Sequence, residues 1–364
     1  MKINSYYESD EYLFKNKESS DENKTILIVI ENYDLYPSPC EYIRVCNVFN
    51  GDKIKSKYKI RYSSFKDAKR FYANVVVFSR IPTIIIEELF DYLKYLNSID
   101  VKIIYEIDDD LISLPTDHPE YAHYSSKSVI IELMLKHADL VITSTSYLSN
   151  KYRTLCKKII TLGNRPGFEV NELRAQIING NEKIFYNIVY MGTRTHINDL
   201  KIVLPAIKRM EESGIKVRLF LIGMSGNMFE YPFIRNLQVP KKIKRYPQFI
   251  QWLRSFKNIH LGIAPLLDSE FNRCKSAVKY FDYCSMGVPT IASSVGEYVD
   301  FIEDGINGYL VKEESDWYEK LNKAFNDYCE NKNQIIIKNA LNNISNFNKC
   351  NALEVTLVNE LAIL

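Results

Sequence analysis

The feature that most constrains the fold of this chain is the alternation of short β-branched runs with longer segments of helical period. The strand-like runs of the first half are TILIVI (25–30), VVVFS (75–79), VKIIYEI (101–107), LVITS (140–144) and KIITL (158–162). Almost continuous apolar runs of this length are typical of strands that are buried on both faces of a parallel sheet. The alternation therefore predicts a doubly wound α/β domain.

The same alternation starts again in the second half, where the runs are YNIVYM (186–191), KVRLFLI (216–222), NIHLGIA (258–264), PTIAS (289–293) and GYLV (308–311). Residues 163–183, between the two series, are rich in Gly, Pro and Asn, which is typical of a connector between domains. We predict an N-terminal extension over 1–24, a Rossmann-like domain over 25–165, a second over 166–330 and a helical tail over 331–364 that returns toward the first domain. Ligands of such folds bind at the carboxyl ends of the strands, so we expect a site in a cleft between two facing domains.

Charge and composition exclude several classes of protein. The chain has 47 Lys+Arg and 45 Asp+Glu, a formal charge of +2, so no nucleic-acid partner is expected. No apolar run approaches the roughly 18 residues that span a bilayer. The polar N-terminus lacks the apolar core of a signal peptide, and we expect a cytoplasmic protein. Seven cysteines without a C-x-x-C pair indicate reduced thiols.

Two motifs in the second half carry a resemblance to a known family. These motifs are MGVPTIAS (286–293) and EDGINGYLV (303–311), and both lie in the longer segment 271–311. This segment resembles the nucleotide-sugar half of family 4 glycosyltransferases, which have the GT-B fold. Three further stretches are similar to a subgroup found in bacterial surface-polysaccharide clusters, namely YEIDDDL (105–111), YMGTRTHINDL (190–200) and APLLDSEFNRCKS (264–276).

The resemblance implies an activity as well as a fold. It implies that a sugar passes from a nucleotide diphosphate sugar to a hydroxyl of a glycan or lipid-linked acceptor in bacterial surface glycoconjugate synthesis. It also implies retention of the anomeric configuration and no required metal or other cofactor. The base and the sugar of the donor stay open.

The expected donor site lies in the second domain. A helix predicted to start near residues 273–276 would present free N–H groups and a positive dipole end to a diphosphate, and Lys275 and Ser276 would add a charge and a hydroxyl. Asp282 stands where the family has a ribose-binding glutamate. Without the motif, the alternative interpretation is that Asp282 is a surface acid and that Lys279 is a solvated charge. We predict His196 and Lys275 as catalytic residues. The predicted donor-binding set is Thr193, Arg194, Asn272, Lys275, Ser276, Lys279 and Asp282.

The sequence departs from the family pattern at three positions. Cys274 stands at the position of the first glutamate of the family's Glu-x7-Glu pattern. Glu270 takes the role of that glutamate only if the loop shifts. Thr193 and Asp199 stand where the family has a phosphate-binding Arg and its partner Lys. We therefore expect Arg194 or the Lys275/Lys279 pair to carry the phosphate charge, and His196 to hydrogen-bond a phosphate or an acceptor hydroxyl.

Polar residues that follow two strands of the first domain are predicted on the acceptor side, where the aspartates either bind the acceptor or fix the loop at the cleft. They are Arg44, Asp108, Asp109 and Asp110. The three aspartates also fit a divalent cation site, as in metal-dependent GT-A glycosyltransferases. The basic stretch over 240–246 and the lysines at 53, 55, 57 and 59 fit peripheral contact with anionic lipid or a lipid-linked acceptor.

Two further functions remain open from the sequence. A non-catalytic GT-B subunit that recognises an acceptor for an active partner would explain Cys274. A sugar-nucleotide epimerase shares the two-domain architecture.

Overall fold

The computed structural model describes residues 24–31, 37–164, 166, 185–224, 229–350 and 353–364. The chain divides into two compact units. The first contains the described residues up to Asn164, Arg245–Pro247 and the last helix, and the second contains the other described residues. Most of the predicted N-terminal extension and of the connector over 163–183 lies outside the described residues.

The first unit is built on one parallel sheet. Its described strands are β1 (Lys24–Ile30), β2 (Tyr58–Ser64), β3 (Val75–Ser79), β4 (Lys102–Ile107), β5 (Leu140–Thr143) and β6 (Ile159–Thr161). They lie in the order β2-β1-β3-β4-β5-β6, and each neighbouring pair is parallel.

The second unit repeats this plan. Its described strands are β7 (Tyr186–Met191), β8 (Val217–Ile222), β9 (Ile234–Leu237), β10 (Leu261–Ala264), β11 (Thr290–Ser293) and β12 (Tyr309–Val311). Their order is β12-β11-β10-β7-β8-β9, again with parallel neighbours. The two sheets confirm the predicted pair of doubly wound α/β units.

Helices occupy the connections between the strands. In the first unit they are α1 (Pro39–Glu41), a π-helical turn (Tyr42–Cys46), α2 (Asn47–Phe49), α3 (Asp52–Lys55), α4 (Phe65–Ala68), α5 (Ile86–Ser98), α6 (Tyr121–Ser125), α7 (Ser128–His137), α8 (Ser146–Tyr152) and a 3-10 turn (Arg153–Leu155). From the second series onward they are a 3-10 turn (Arg194–His196), α9 (Ile197–Lys201), α10 (Leu204–Glu212), α11 (Tyr246–Leu253), α12 (Glu270–Arg273), α13 (Val278–Ser285), α14 (Tyr298–Phe301), a 3-10 turn (Glu314–Asp316), α15 (Trp317–Cys329), α16 (Asn333–Cys350) and α17 (Leu353–Ile363).

The helix α5 shows how the sequence pattern becomes packing. Its buried side chains are Leu89, Tyr92, Leu93 and Leu96, which are spaced at helical period and so form one stripe. Tyr92 packs edge-on against Phe78 of β3, with ring centroids 6.1 Å apart. Burial of a large apolar side chain contributes about 1.5–3 kcal/mol, so this stripe fixes the helix on the sheet.

Two strands of the structure are absent from the sequence-based prediction. The strands β2 and β9 both lie at an edge of their sheets. The segment YKIRYSS of β2 contains Lys59, the last of the four lysines that we interpreted as basic surface. The segment IRNL of β9 is only four residues long. Edge strands are often short and polar, so they lack the apolar run that reveals a central strand.

The C-terminal tail divides between the two units. The helix α16 belongs to the second unit, whereas only α17 belongs to the first, where it packs on α2 and α3. Leu353, Leu357 and Leu361 of α17 are buried, and Lys158 at the start of β6 forms an ion pair with Glu360. The part of the tail that returns is therefore shorter than the predicted 331–364.

No helix among the described residues is both long enough and apolar enough to cross a membrane.

Candidate functional site

The candidate site of the second unit lies where three neighbouring parallel strands end. The strands β11, β10 and β7 are adjacent in the sheet, so the loops that follow them meet at one edge. These loops are residues 192–196, 265–269 and 294–297. They contain or adjoin most of the donor-binding residues that the sequence predicts.

A close approach of backbone and ring shapes the first of these loops. A Cβ atom at Gly192 would lie 2.7 Å from the hydroxyl oxygen of Tyr190, so only glycine fits above this ring. Gly223, after β8, has a φ of +85°, and a Cβ there would lie 2.9 Å from the carbonyl oxygen of Gly192. The two glycines let the chain turn sharply at the sheet edge.

A buried carboxylate connects two of the loops. Asp199 Oδ2 lies 2.8 Å from Nδ1 of His196, and Asp199 Oδ1 accepts hydrogen bonds from the backbone N–H of Leu267 and from Nδ2 of Asn272, both over 2.9 Å. Asn272 Nδ2 also donates to the carbonyl oxygen of Leu267. The amide nitrogen of Asn272 is thus occupied inside the protein. Asp199 is the residue of this network whose role the sequence did not reveal.

Thr193 and Arg194 lie on the outside of the same loop. Both side chains are exposed, and the hydroxyl of Thr193 lies 2.6 Å from that of Thr195. Arg194 therefore presents its charge at the sheet edge. The predicted residue His196 lies beside them with its ring mostly covered.

The helix that carries the predicted donor-binding lysines starts later than the sequence indicates. The helix α13 begins at Val278 with Ala277 as its N-cap, so Lys275 and Ser276 lie in the connection that follows α12. One hydrogen bond and one close approach of the backbone at a glycine hold this connection in a non-helical path. The N–H of Glu297 donates to the carbonyl oxygen of Lys275 over 3.2 Å, and a Cβ at Gly296 would lie 2.7 Å from the same oxygen.

Glu297 is a second residue that the sequence analysis missed. Its Oε2 accepts a hydrogen bond from the N–H of Ala277 over 3.2 Å, at the first turn of α13. A carboxylate of the protein thus occupies one of the N–H groups that we expected to face a diphosphate. The motif gave no signal for it, because the contact depends on how the loop after β11 folds back on residues 272–277.

Two lysines bring positive charge to this edge. Lys275 Nζ lies 4.4 Å from the ring centroid of Phe271, and Lys279 Nζ lies 5.9 Å from that of Tyr190, so each ammonium group rests on an aromatic face. Burial, with the charges of Lys279 and Lys275, lowers the pKa of His196 to about 4, although Asp199 opposes the shift. The imidazole is therefore neutral at pH 7.

The side chains of Cys274 and Asp282 are buried. Cys274 is fully buried, and its thiol lies within hydrogen-bonding distance of the carbonyl oxygen of Glu270. Asp282 is only 5% exposed, so the alternative of a surface acid is wrong. Glu270 itself is exposed.

A family model, described as glycosyl transferases group 1, matches residues 186–327, from the first residue of β7 to within α15. The matched residues include all six described strands of the second unit. This match agrees with the resemblance that the motifs of the second half carry.

The whole chain is similar to solved structures of GT-B glycosyltransferases. Anabaena HepE in complex with UDP-glucose has 14% identity and a TM-score of 0.61, over 94% of this chain and 100% of that chain. Sucrose-phosphate synthase from Thermosynechococcus elongatus has 10% identity and a TM-score of 0.64, over 94% and 99%. The lipopolysaccharide outer core galactosyltransferase WaaB has 13% identity and a TM-score of 0.58, over 93% and 99%. A search of curated protein sequences gives no match. The GT-B fold predicted from the sequence is confirmed.

Outside the residues that the family model matches, the structure changes the interpretation of Arg44. This side chain is 2% exposed, and its Nε lies 2.7 Å from Oε1 of Glu106 on β4. Its Nη1 donates to Oδ1 of Asn164 over 2.9 Å and to the carbonyl oxygen of Leu162. Arg44 is therefore not a surface arginine, and two of its three guanidinium nitrogens bind β4 and residues that follow β6.

The three consecutive aspartates after β4 do not share one partner. Asp110 is fully buried between Lys151 Nζ at 2.6 Å and the hydroxyl of Tyr152 at 2.8 Å, so it holds the loop and cannot contact an acceptor. Asp108 and Asp109 lie 3.5 and 3.9 Å from the guanidinium of Arg80. Among the described residues, no group of three or more His, Cys, Asp or Glu side chains is arranged to hold a metal ion.

Arg80 is the residue that organises this edge of the first sheet. It directly follows β3 and has a φ of 49°, which is unusual for a residue with a side chain. Its Nη2 donates to the hydroxyl of Tyr124 over 3.3 Å. Glu31, after β1, is electrostatically coupled to Arg80, and burial raises the pKa of Glu31 to about 7 although Arg80 lowers it. Acidic residues and Arg80 thus lie together at the carboxyl ends of β1, β3 and β4.

Proposed function

We propose that this protein transfers a sugar from a nucleoside diphosphate sugar to a hydroxyl of a glycan or lipid-linked acceptor. The observation that carries the proposal is the match of the glycosyl transferases group 1 model over 186–327, a segment in which the charges of Lys275 and Lys279 both act on His196. HepE was crystallised with UDP-glucose, which makes this compound the first donor to test. WaaB is named as an outer core galactosyltransferase, which supports a role in surface glycan synthesis.

The chemistry requires stabilisation of the leaving diphosphate more than it requires a strong base. Ammonium groups held on aromatic faces are partly desolvated, and they therefore attract an anion more strongly than solvated lysines do. Lys275 and Lys279 have this arrangement, and Arg194 adds an exposed charge at the same edge. We propose that these three residues bind the diphosphate, and that the reaction retains the anomeric configuration and proceeds without a metal ion.

The test is a thermal-shift and transfer assay with UDP-glucose, UDP-galactose, UDP-N-acetylglucosamine and GDP-mannose, with and without EDTA. A specific donor raises the apparent stability of the folded protein. We expect Lys275→Ala to lower kcat/KM for that donor at least about 100-fold, as loss of a charge-stabilising group does. Lys208→Ala, which removes an exposed lysine of α10, serves as the matched control.

A non-catalytic role is the second candidate, because the buried thiol of Cys274 stands where the family has a carboxylate near the donor sugar. Such a subunit would show neither transfer nor hydrolysis of any donor, and Lys275→Ala would leave its binding to a partner unchanged. An epimerase would convert the donor sugar in the absence of an acceptor. Loss of activity with EDTA would exclude metal-independent transfer.

A further inference from the structure

The loop after β7 contains a histidine whose two ring nitrogens have different environments. His196 Nδ1 lies 2.8 Å from Asp199 Oδ2, three residues further along the chain. In the part of the chain that the structure describes, Nε2 has no hydrogen-bond partner. The side chain is 17% exposed, so it is held in place without being fully covered.

The partners of Asp199 decide which nitrogen carries the proton. The carboxylate accepts hydrogen bonds from Leu267 N and Asn272 Nδ2 at Oδ1, and it faces His196 Nδ1 at Oδ2. Burial would raise the pKa of Asp199, but the hydrogen bonds from His196 and from the N–H of Leu267 hold it below its usual value. An ionised carboxylate only accepts, so Nδ1 of the imidazole must be the donor.

The ring stays neutral because of its surroundings. Three charged groups act on it, namely Asp199 on its own loop and Lys275 and Lys279 beside it, and burial with the two lysines outweighs the aspartate. In a neutral imidazole that carries its hydrogen on Nδ1, Nε2 can only accept a hydrogen bond. A phosphate oxygen also only accepts at neutral pH, so His196 Nε2 and a phosphate would repel each other.

We propose that His196 Nε2 accepts a hydrogen bond from a hydroxyl of the sugar being transferred, and that Asp199 is the positioning residue that fixes this tautomer and ring orientation. The inference rests on the proposed function and deepens it, since it makes His196 a residue that recognises the donor sugar. It replaces the sequence-based expectation of a contact to phosphate. The lysines remain the residues that bind the diphosphate.

The experiment compares a nucleotide sugar with its free nucleotide in calorimetric titrations of the full chain at pH 7.5. The probes are UDP-glucose with UDP and GDP-mannose with GDP. We expect His196→Phe to weaken binding of the nucleotide sugar about tenfold, the effect of one lost hydrogen bond, and to change binding of the free nucleotide less than about twofold. His196→Gln keeps an acceptor oxygen near the position of Nε2, so it should restore most of the difference. His123→Gln, an exposed histidine of α6, is the control.

Two further measurements distinguish sugar recognition by His196 from a merely structural role. Asp199→Asn should cause the same selective loss for the nucleotide sugar, whatever it does to stability, because its amide group no longer fixes the imidazole. His196 should add no pH dependence to the affinity for the free nucleotide between pH 5.5 and 8. The wild type and His196→Phe should therefore show the same pH profile for this affinity. If the proposal were wrong and His196 contacted phosphate, His196→Phe would weaken the sugar-linked and free nucleotides equally.

The outcomes distinguish this inference from the proposed function. Donor binding and transfer by the wild type, with an unchanged preference for the nucleotide sugar in His196→Phe, would overturn the inference alone. No binding of any nucleotide or nucleotide sugar by the wild type would overturn both.

Discussion

Arg44 Nε donates to Glu106 Oε1 over 2.7 Å, although neither side chain is more than 2% exposed. The pair joins the π-helical turn after β1 to the strand β4, and Ser79 Oγ donates to the second carboxylate oxygen over 3.1 Å. Burial raises the pKa of Glu106 to about 7, although Arg44 lowers it. A buried pair of this kind specifies how the elements fit together more than it adds to stability.

Removal of one partner of this pair should destabilise the first unit strongly. We expect Arg44→Met to lower the free energy of unfolding by about 3 kcal/mol or more, because Glu106 then loses its charge partner in a buried site. Urea unfolding followed by circular dichroism measures the change. The double variant Arg44→Met/Glu106→Gln should be less destabilised than the sum of the two single variants.

The same variants test the earlier assignment of Arg44 to the acceptor side. A fully stable Arg44→Met protein that binds its donor normally but transfers no sugar would restore that assignment.

Acid should destabilise the second unit through His260. Burial lowers the pKa of His260 to about 4, and its Nδ1 accepts a hydrogen bond from the N–H of Asn187 over 3.0 Å. Between pH 6.5 and 4, the unfolded chain binds a proton here that the folded chain excludes, so stability falls as the pH falls through this window. The slope from one such group approaches about 1.4 kcal/mol per pH unit.

Substitution of His260 should flatten this pH dependence. His260→Asn keeps an oxygen acceptor for Asn187 and removes the titration, so we expect lower stability at pH 7 but a shallower slope between pH 6.5 and 4.5. Urea unfolding at several pH values checks the difference, and His123→Gln is the exposed control. A wild-type slope in His260→Asn would show that the acid sensitivity has another source, such as His196, whose pKa is shifted in the same direction.

The contact of Glu297 with Ala277 N should stabilise the loop that carries Lys275. We expect Glu297→Ala to lower the free energy of unfolding by about 1 kcal/mol, because one N–H at the start of α13 loses its acceptor. Glu297→Gln keeps an acceptor and should stay within about 0.5 kcal/mol of the wild type. Thermal unfolding of both variants measures this, and equal losses would mean that the charge of Glu297 matters rather than the hydrogen bond.

Gly262 in β10 should tolerate no side chain. A Cβ there would lie 2.3 Å from Cγ of Tyr283, whose hydroxyl bridges the carbonyl oxygen of Ile263 and the N–H of Met191. We expect Gly262→Ala to lower the free energy of unfolding by about 2 kcal/mol through overpacking. At Gly305 nothing lies within 4 Å of a Cβ, so Gly305→Ala should cost only the left-handed strain of its φ of +76°, about 1 kcal/mol. Chemical denaturation compares the two, and an unchanged Gly262→Ala protein would contradict the packing argument.

The sequence predicted the central strands of both sheets, because a strand such as β10 is buried at every residue and is apolar along its whole length. It missed β2 and β9, since the edge of a sheet imposes no such pattern. It placed His196 in the loop after β7, but it placed Lys275 at a helix start that the structure puts at Val278, and it expected Arg44 to face the cleft. Of its two alternatives for Asp110, acceptor binding or fixing the loop, the structure has the second. Nothing in a sequence shows whether a charged side chain after a strand meets a buried partner such as Glu106 or Lys151.

The position of α17 matters while the protein is being synthesised. The helix covers α2 and α3, and Glu354 Oε2 accepts from the backbone N–H of Lys53. Roughly 190 residues separate Asn164 from Leu353, which a ribosome takes about 10–40 s to translate at ~5–20 residues/s. During that time the surface around the buried side chains Val48 and Ile54 lacks its cover. We therefore expect the first unit to acquire its last helix only after the second unit has been translated.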